Sequence, residues 1–425
     1  MHSLRNLTKF AIVGNSNKPD ISDLPKTLID ELTESKECCI LHPDRLEAIK
    51  NDHVDCLMRT NPALSDDVLV KAAKYGSIKI VKHLRSLNFP WNKQVCNYAV
   101  EYGYFDILKY AVENGCPLDA YVCVKAIRHD DHLDCFKYLI EKGCPLDEDV
   151  TDAAVEYGKI DFLKYAVENG CPLAEDACCN AAYYGYLDCL TYVHENGALL
   201  GITACINAVI RDHLDCLKYL HVNGCRWDET VCVEAVRYGH LDCLKYLHVN
   251  GCPWNENVTF MAAATNNIDC LRYALENGCS WKEIVCVSAV MRGYLDCLKY
   301  LHENGCIFGE DVPVGRLKEA PKGGYLKYTI GNGWMDAVLV YAAAYGHLNC
   351  LKYLHENGCK FTKKVFDQVS VIWKPTDMPD IKARQLDCLK YAVEKGCPCT
   401  RQVYIRAIDL DRPRFAKYIR QNMAE

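Results

Sequence analysis

No apolar run in this 425-residue chain approaches the ~18–20 residues that a membrane-spanning helix needs, so no span is expected. Polybasic runs are missing as well. Lys and Arg number 49 against 56 Asp and Glu, for a formal net charge of -7, which argues against a general nucleic-acid binder. Neither a Gly-rich phosphate loop nor a G-x-S-x-G elbow occurs. The apolar run at residues 10–14 is too short for the core of a signal peptide, so a cytoplasmic location is expected, with the nucleus as an alternative. Asn6-Leu7-Thr8 and Asn257-Val258-Thr259 match the glycosylation pattern, which matters only in a secretory protein. Half of the residues are hydrophobic and a quarter charged, which excludes a fully disordered chain.

What is present is cysteine, and it is periodic. Of the 28 cysteines, 24 fall in three columns. One follows Asp or a similar residue in D-C-L-K-Y strings (Cys243, for example), one follows glycine in N-G-C (Cys252), and one sits in V-C-V-like strings (Cys232). The tyrosine of L-K-Y sets the period: Tyr110, Tyr138, Tyr165, Tyr192, Tyr219, Tyr246, Tyr273 and Tyr300 advance by 28 and then by 27 throughout. Degenerate copies continue at Tyr328, Tyr353, Tyr391 and Tyr418, and His83 and Arg59 hold the position upstream. This gives about fourteen units over residues 41–425, preceded by an extension at 1–40.

Residues 230–254 show the physics of one unit. Val231, Val233 or Cys232, Ala235 and Val236 recur at three- and four-residue spacing, the mark of a short amphipathic helix. Gly239 ends it, because glycine tolerates the left-handed turn beyond a helix. A second helix starts near Leu241, with Asp242 favoured at the positive end of its dipole. Cys243, Leu244, Tyr246 and Leu247 supply its apolar face, Asn250-Gly251 ends it, and Pro253 prevents its continuation. Helices of about ten residues are unstable alone in water, so each pair must bury its faces on its neighbours, and the expected fold is an all-α helix-turn-helix solenoid.

These residues resemble the ankyrin repeat family. Ala235-Val236 stands where that family has Ala-Ala, Gly239-His240 at its central Gly-His, Cys243-Leu244 at its Val-Val, Tyr246-Leu247 at its leucines and Gly251-Cys252 at its Gly-Ala. The family's usual period is ~33 residues, and the residues missing here fall after Cys252-Pro253-Trp254, where that family extends a β-hairpin finger. The resemblance therefore implies an ankyrin-like solenoid with short or absent fingers. The cysteine-rich L-D-C-L-K-Y-L-H-E-N-G-C-P-W wording resembles arrays encoded by large DNA viruses of amoebae and algae, which implies a partner among host proteins.

Candidate chemistry meets ordinary structural explanations. Equivalent cysteines of adjacent units stand ~8–10 Å apart, too far for a shared zinc or a disulfide, so the cysteines read as small core hydrophobes. The column His194, His221, His248, His302 and His355 is expected to cap the last turn of the second helix. Lysines such as Lys218 and Lys245 follow Asp215 and Asp242 by three residues, which makes them helix-surface ion pairs rather than a phosphate ladder. Reactive residue types recur by unit instead of converging on one constellation, so no enzyme, no cofactor and no metal is expected.

Recognition is expected where the units vary. Two first-helix slots, three residues apart on one face, hold Lys71 and Lys74, Tyr98 and Glu101, Lys125 and Arg128, then Glu156. They continue with Asn180 and Tyr183, Asn207 and Ile210, Glu234 and Arg237, and finally Met261 and Met291. In ankyrin-like stacks these slots face the concave side. They are the expected protein-binding residues of a monomeric, non-catalytic scaffold, because Tyr, Arg and Met are enriched at protein interfaces. The regular pattern breaks at 307–333 and at 360–385, and irregular loops on rigid scaffolds often bind. Residues 21–35 read as a helix with Pro25 in its first turn. Leu24-Pro25 faintly resembles an F-box, so the alternative function is a substrate-recognition adaptor of a ubiquitin ligase acting through residues 1–40.

Overall fold

The computed structural model describes residues 45–60, 67–282, 284–306, 334–362, 365, 367, 369 and 379–423. The extension at 1–40 and the irregular segment 307–333, with Tyr328, lie outside the described residues. The chain divides into two compact units, residues 1–199 and 200–425.

The first unit holds α1 (Arg45–Lys50), α2 (Val54–Thr60), α3 (Asp67–Lys74), α4 (Ile78–Ser86), α5 (Gln94–Glu101) and α6 (Phe105–Glu113). It continues with α7 (Ala120–Ile127), a 3-10 turn at Asp130–His132, α8 (Leu133–Glu141), α9 (Glu148–Glu156), α10 (Ile160–Glu168), α11 (Ala177–Tyr184) and α12 (Leu187–Glu195). The second unit begins with α13 (Ile202–Ile210), α14 (Leu214–Val222), α15 (Glu229–Tyr238), α16 (Leu241–Val249), α17 (Glu256–Thr265), α18 (Ile268–Glu276), α19 (Ile284–Arg292) and α20 (Leu295–Glu303). After these come α21 (Trp334–Tyr345), α22 (Leu348–Glu356), α23 (Pro379–Glu394), α24 (Arg401–Asp409) and α25 (Pro413–Asn422). No strand occurs among the described residues, so no β-hairpin finger follows the second helices there.

Within each unit the first helices of successive pairs pack on one another, as α5 does on α7 and α15 on α17. The second helices form a parallel layer, as α16 does on α18. The core lies between the layers. In the pair α15–α16 it comprises Val231, Cys232, Ala235, Val236, Cys243, Leu244 and Leu247, all fully buried. Each fully buried Val or Leu contributes about 1.5–3 kcal/mol relative to exposure, which short helices without a neighbour would forgo. Asp228 begins α15 by accepting from the Thr230 N–H. At the far end of α16, Cys252 N donates to Leu247 O and Gly251 N to His248 O, with Gly251 at φ 77°. This is a Schellman closure, and it explains the N-G-C string.

The residue after the left-handed turn that ends the first helix (Asn266, Gly239 or Gly346) locks its pair onto the preceding one. Asn267 Nδ2 donates to Val236 O at 2.6 Å, His240 Nε2 lies 3.2 Å from Ile210 O, and His347 Nε2 lies 3.0 Å from Met291 O. A Cβ on Gly158 would stand 2.4 Å from the Tyr186 ring, and one on Gly293 would stand 2.4 Å from His347 Nδ1. The glycine is thus required by the neighbouring unit as well as by its own turn.

Those contacts also settle what flanks residues 307–333. Helix α19 packs directly on α21 and α20 on α22, so no described helix pair stands between the units of Tyr300 and Tyr353. At the second irregular segment, residues 379–385 continue into α23 as one sixteen-residue helix. No glycine precedes its L-D-C-L-K-Y string, and Gln385 takes the lock position, donating from Nε2 to Ala344 O.

Candidate protein-binding surface

All fifteen residues expected to bind a partner reach the surface. Lys71, Arg128, Glu156 and Arg237 are exposed, and the others are half-buried. Ala153 and Ser288, in the same slots of their own units, are buried.

Neighbouring first helices bring several of these side chains together. In the first unit Lys74 Nζ lies 5.7 Å from the Tyr98 ring, and Lys125 Nζ bonds Glu101 Oε2 at 2.9 Å. The Glu101 carboxylate holds the Lys125 ammonium above its usual range. Lys71 pairs with Asp67 at 2.5 Å, and Asn180 Nδ2 donates to Asp152 Oδ1 at 2.6 Å. In the second unit Arg237 pairs with Glu234 at 3.1 Å. Asn207, Ile210, Met261 and Met291 present partly exposed side chains along the same helix faces. Much of the charge in the strip is therefore satisfied by neighbours, and such exposed pairs contribute little to stability.

Sequence reasoning missed exposed tyrosines beside the strip in each unit. Tyr102, Tyr184 and Tyr238, each preceding a glycine, are 47%, 39% and 50% exposed. Tyr102 stacks between Tyr98 and Tyr104 at ring separations of 6.2 and 6.3 Å, and Tyr184 contacts Tyr183 and Tyr186. Arg128 lies over Tyr157 at 5.9 Å. The signal was the recurring Tyr-Gly string at 75–76, 102–103, 157–158, 184–185 and 238–239, whose tyrosine has no core position to fill.

His221, His248 and His302 reach across to the next pair rather than capping their own helix. His221 stacks on Trp227 at 4.1 Å and places Nδ1 2.9 Å from the Tyr246 hydroxyl of the next pair. His248 repeats this with Trp254 at 4.0 Å and Tyr273 at 2.9 Å. His355 stacks on Phe361 at 4.8 Å and packs edge-on against Tyr391 of the next pair at 6.0 Å, but its Nδ1 lies 3.1 Å from Cys359 O of its own helix end. The cross-pair histidines tie the second-helix layer together, a reason for the column that cross-unit geometry supplies and helix capping does not. In the lysine column Lys218 pairs with Asp215 at 3.2 Å and Lys245 with Asp242 at 3.4 Å, whereas Lys137 and Lys352 lie over the Tyr165 and Tyr391 rings of the next pair.

Cysteines of all three columns are buried, and burial pushes the Cys189 and Cys243 thiols up to about 12. The expectation that the cysteines stand too far apart to meet holds only for equivalent cysteines of adjacent units. The V-C-V and N-G-C columns of the same pair meet: Cys123 Sγ lies 3.4 Å from Cys144 Sγ, and Cys205 Sγ lies 3.1 Å from Cys225 Sγ. Cys116 and Cys252, beside Cys96 and Cys232, push those thiols above their usual range, and Cys286 and Cys306 are joined as a disulfide. Among the described residues no group of three or more His, Cys, Asp or Glu side chains is arranged to hold a metal. No described helix is long and apolar enough to cross a membrane.

Residues 232–312 and 259–365 match the family model described as ankyrin repeats (3 copies). Among the curated proteins none matches this sequence. Of solved structures, the human ASB11 ankyrin repeat domain is 20% identical, with a TM-score of 0.34, covering 45% of this chain and 96% of that one. The pentatricopeptide repeat protein PPR10 from maize is 12% identical, with a TM-score of 0.31, covering 99% of this chain and 72% of that one. At these scores the two stand as likenesses only. Over residues 232–365 the chain is thus similar to ankyrin repeats, carried on the helix-pair fold described above.

Proposed function

We propose that this chain is a non-catalytic scaffold that binds a protein partner along the exposed edges of its first helices. The observation that carries this reading is the tyrosine cluster beside the variable strip of the first unit. Exposed Tyr102 stacks between the half-buried Tyr98 and Tyr104, with Lys74 over the Tyr98 ring. Rigid aromatic surface of this kind loses little entropy on binding and buries large area, and Tyr and Arg dominate the energetics of protein interfaces. The recurrence of every reactive residue type by unit leaves no single constellation for catalysis. A host-protein partner, as the viral wording would imply, is one form of this reading.

The test is affinity capture followed by mass spectrometry. It compares the intact chain, a chain lacking residues 1–40, and a variant with Tyr98, Arg128, Tyr183 and Arg237 changed to alanine. A partner lost from the quadruple variant alone supports the scaffold. Ligase subunits that disappear with residues 1–40 would replace it with the adaptor. The same proteins in all three samples would place binding elsewhere.

A further inference from the structure

Facing cysteines occur in five of the helix pairs, always between a first-helix cysteine and the cysteine after the second-helix glycine; four of these are thiol pairs and one, Cys286 with Cys306, is already a disulfide. Cys123 with Cys144 and Cys205 with Cys225 have sulfur atoms 3.4 and 3.1 Å apart. Their exposures differ in the same sense each time. The inner sulfur is sealed, with Cys123 and Cys205 at 0%, while the outer residue, Cys144 or Cys225, reaches 5%. Each outer thiol also donates to the carbonyl that opens its own first helix, Cys144 to Asp119 O and Cys225 to Gly201 O. The outer sulfur is therefore held facing the inner one at a helix end.

We propose that these pairs are oxidation sites, at which hydrogen peroxide converts each inner and outer thiol into a disulfide inside one helix pair. The outer thiolate attacks one oxygen of the peroxide. An S–O bond forms, the O–O bond breaks, and the departing hydroxide takes up the thiol's proton and leaves as water. The inner sulfur then attacks the sulfenic sulfur: an S–S bond forms, the S–O bond breaks, and a second water carries away the inner proton. Two thiols lose two electrons and two protons, and one peroxide becomes two waters. The outer cysteine is the first to react because it is the less deeply buried of the two. At Cys225 the hydrogen bond from Cys205 also holds the thiol below its usual range. The product ties the first helix to the turn that closes the second, so each oxidised pair becomes a closed loop that resists local opening.

Two helix pairs are built-in controls. Thr151 and Thr259 replace the inner cysteine and donate their hydroxyls to the Pro172 and Ser280 carbonyls, leaving Cys171 and Cys279 without an inner thiol in their own pair. This pattern is independent of the binding surface and of the reading placed on it.

The full-length protein, reduced and then exposed to peroxide, is denatured, alkylated and digested for mass spectrometry. The expected result is peptides linked Cys123 to Cys144 and Cys205 to Cys225, each lighter by two hydrogens, with Cys171 and Cys279 alkylated. In Cys205→Thr, which copies the natural threonine units, Cys225 should stop at the sulfenic acid and take up dimedone. Full alkylation of Cys123 and Cys205 after peroxide, or linkage of Cys225 to cysteines of other pairs as often as to Cys205, would overturn the proposal. So would a failure of dimedone to label Cys225 in the variant above the unmodified chain.

Discussion

His302 Nδ1 lies 2.8 Å from the hydroxyl of Tyr353, 51 residues downstream, whereas His221 reaches Tyr246 and His248 reaches Tyr273 across only 25. The same inter-pair contact is made with residues 307–333 bypassed. Replacing 307–333 by a three-residue connection, like the Pro253-Trp254-Asn255 that leads from Cys252 into α17, should therefore leave the packing of α19 on α21 intact. Far-UV circular dichroism should show the helix signal retained, with Tm within about 4 °C of the intact chain, the shift that ~1 kcal/mol would cause. A larger fall would mean that the segment supports the stack.

The glycine lock separates two costs. Gly251 has φ 77° and open space where a Cβ would stand, so Gly251→Ala costs only the strain of the left-handed backbone, about 1–2 kcal/mol. Gly293 has φ 79°, and its new Cβ would stand 2.4 Å from His347 Nδ1. Gly293→Ala must also displace that imidazole from Met291 O, adding about 1 kcal/mol or more. Urea denaturation of the two variants should place Gly293→Ala clearly lower. Equal losses would contradict the lock.

Burial holds the His347 imidazolium below its usual range, and Arg384 adds to the effect. The unfolded chain, with an ordinary histidine near 6.5, therefore binds the proton more readily than the folded one. Stability from this site is complete above about pH 6.5 and declines as pH falls through the folded value. His347→Asn places at this lock the residue that Asn267 already supplies at another, so it should flatten that acid slope with little effect at pH 8. Denaturation midpoints across pH 5 to 8 check this, and an unchanged slope would remove His347 as the source.

The period, the helix pairs and the glycine stops were legible because each unit repeats its own local chemistry, as Gly239 and Gly251 show. Contacts between columns were not. Nothing in the spacing of Cys205 and Cys225 reveals that antiparallel helices bring them to 3.1 Å. His248 read as a cap because its partners, Trp254 and Tyr273, are found only once the next pair is stacked in place. The exposed slots of the strip followed from helical spacing. Tyr102 and Tyr238 did not, because a tyrosine before a glycine can equally cover its own helix end.

The most direct measurement is equilibrium binding of a captured partner to the intact chain and to the variant with Tyr98, Arg128, Tyr183 and Arg237 changed to alanine. Circular dichroism would confirm that both fold alike. The strip account predicts at least a tenfold rise in Kd for the variant, corresponding to the loss of about 1.4 kcal/mol. An unchanged Kd with the fold intact would contradict it.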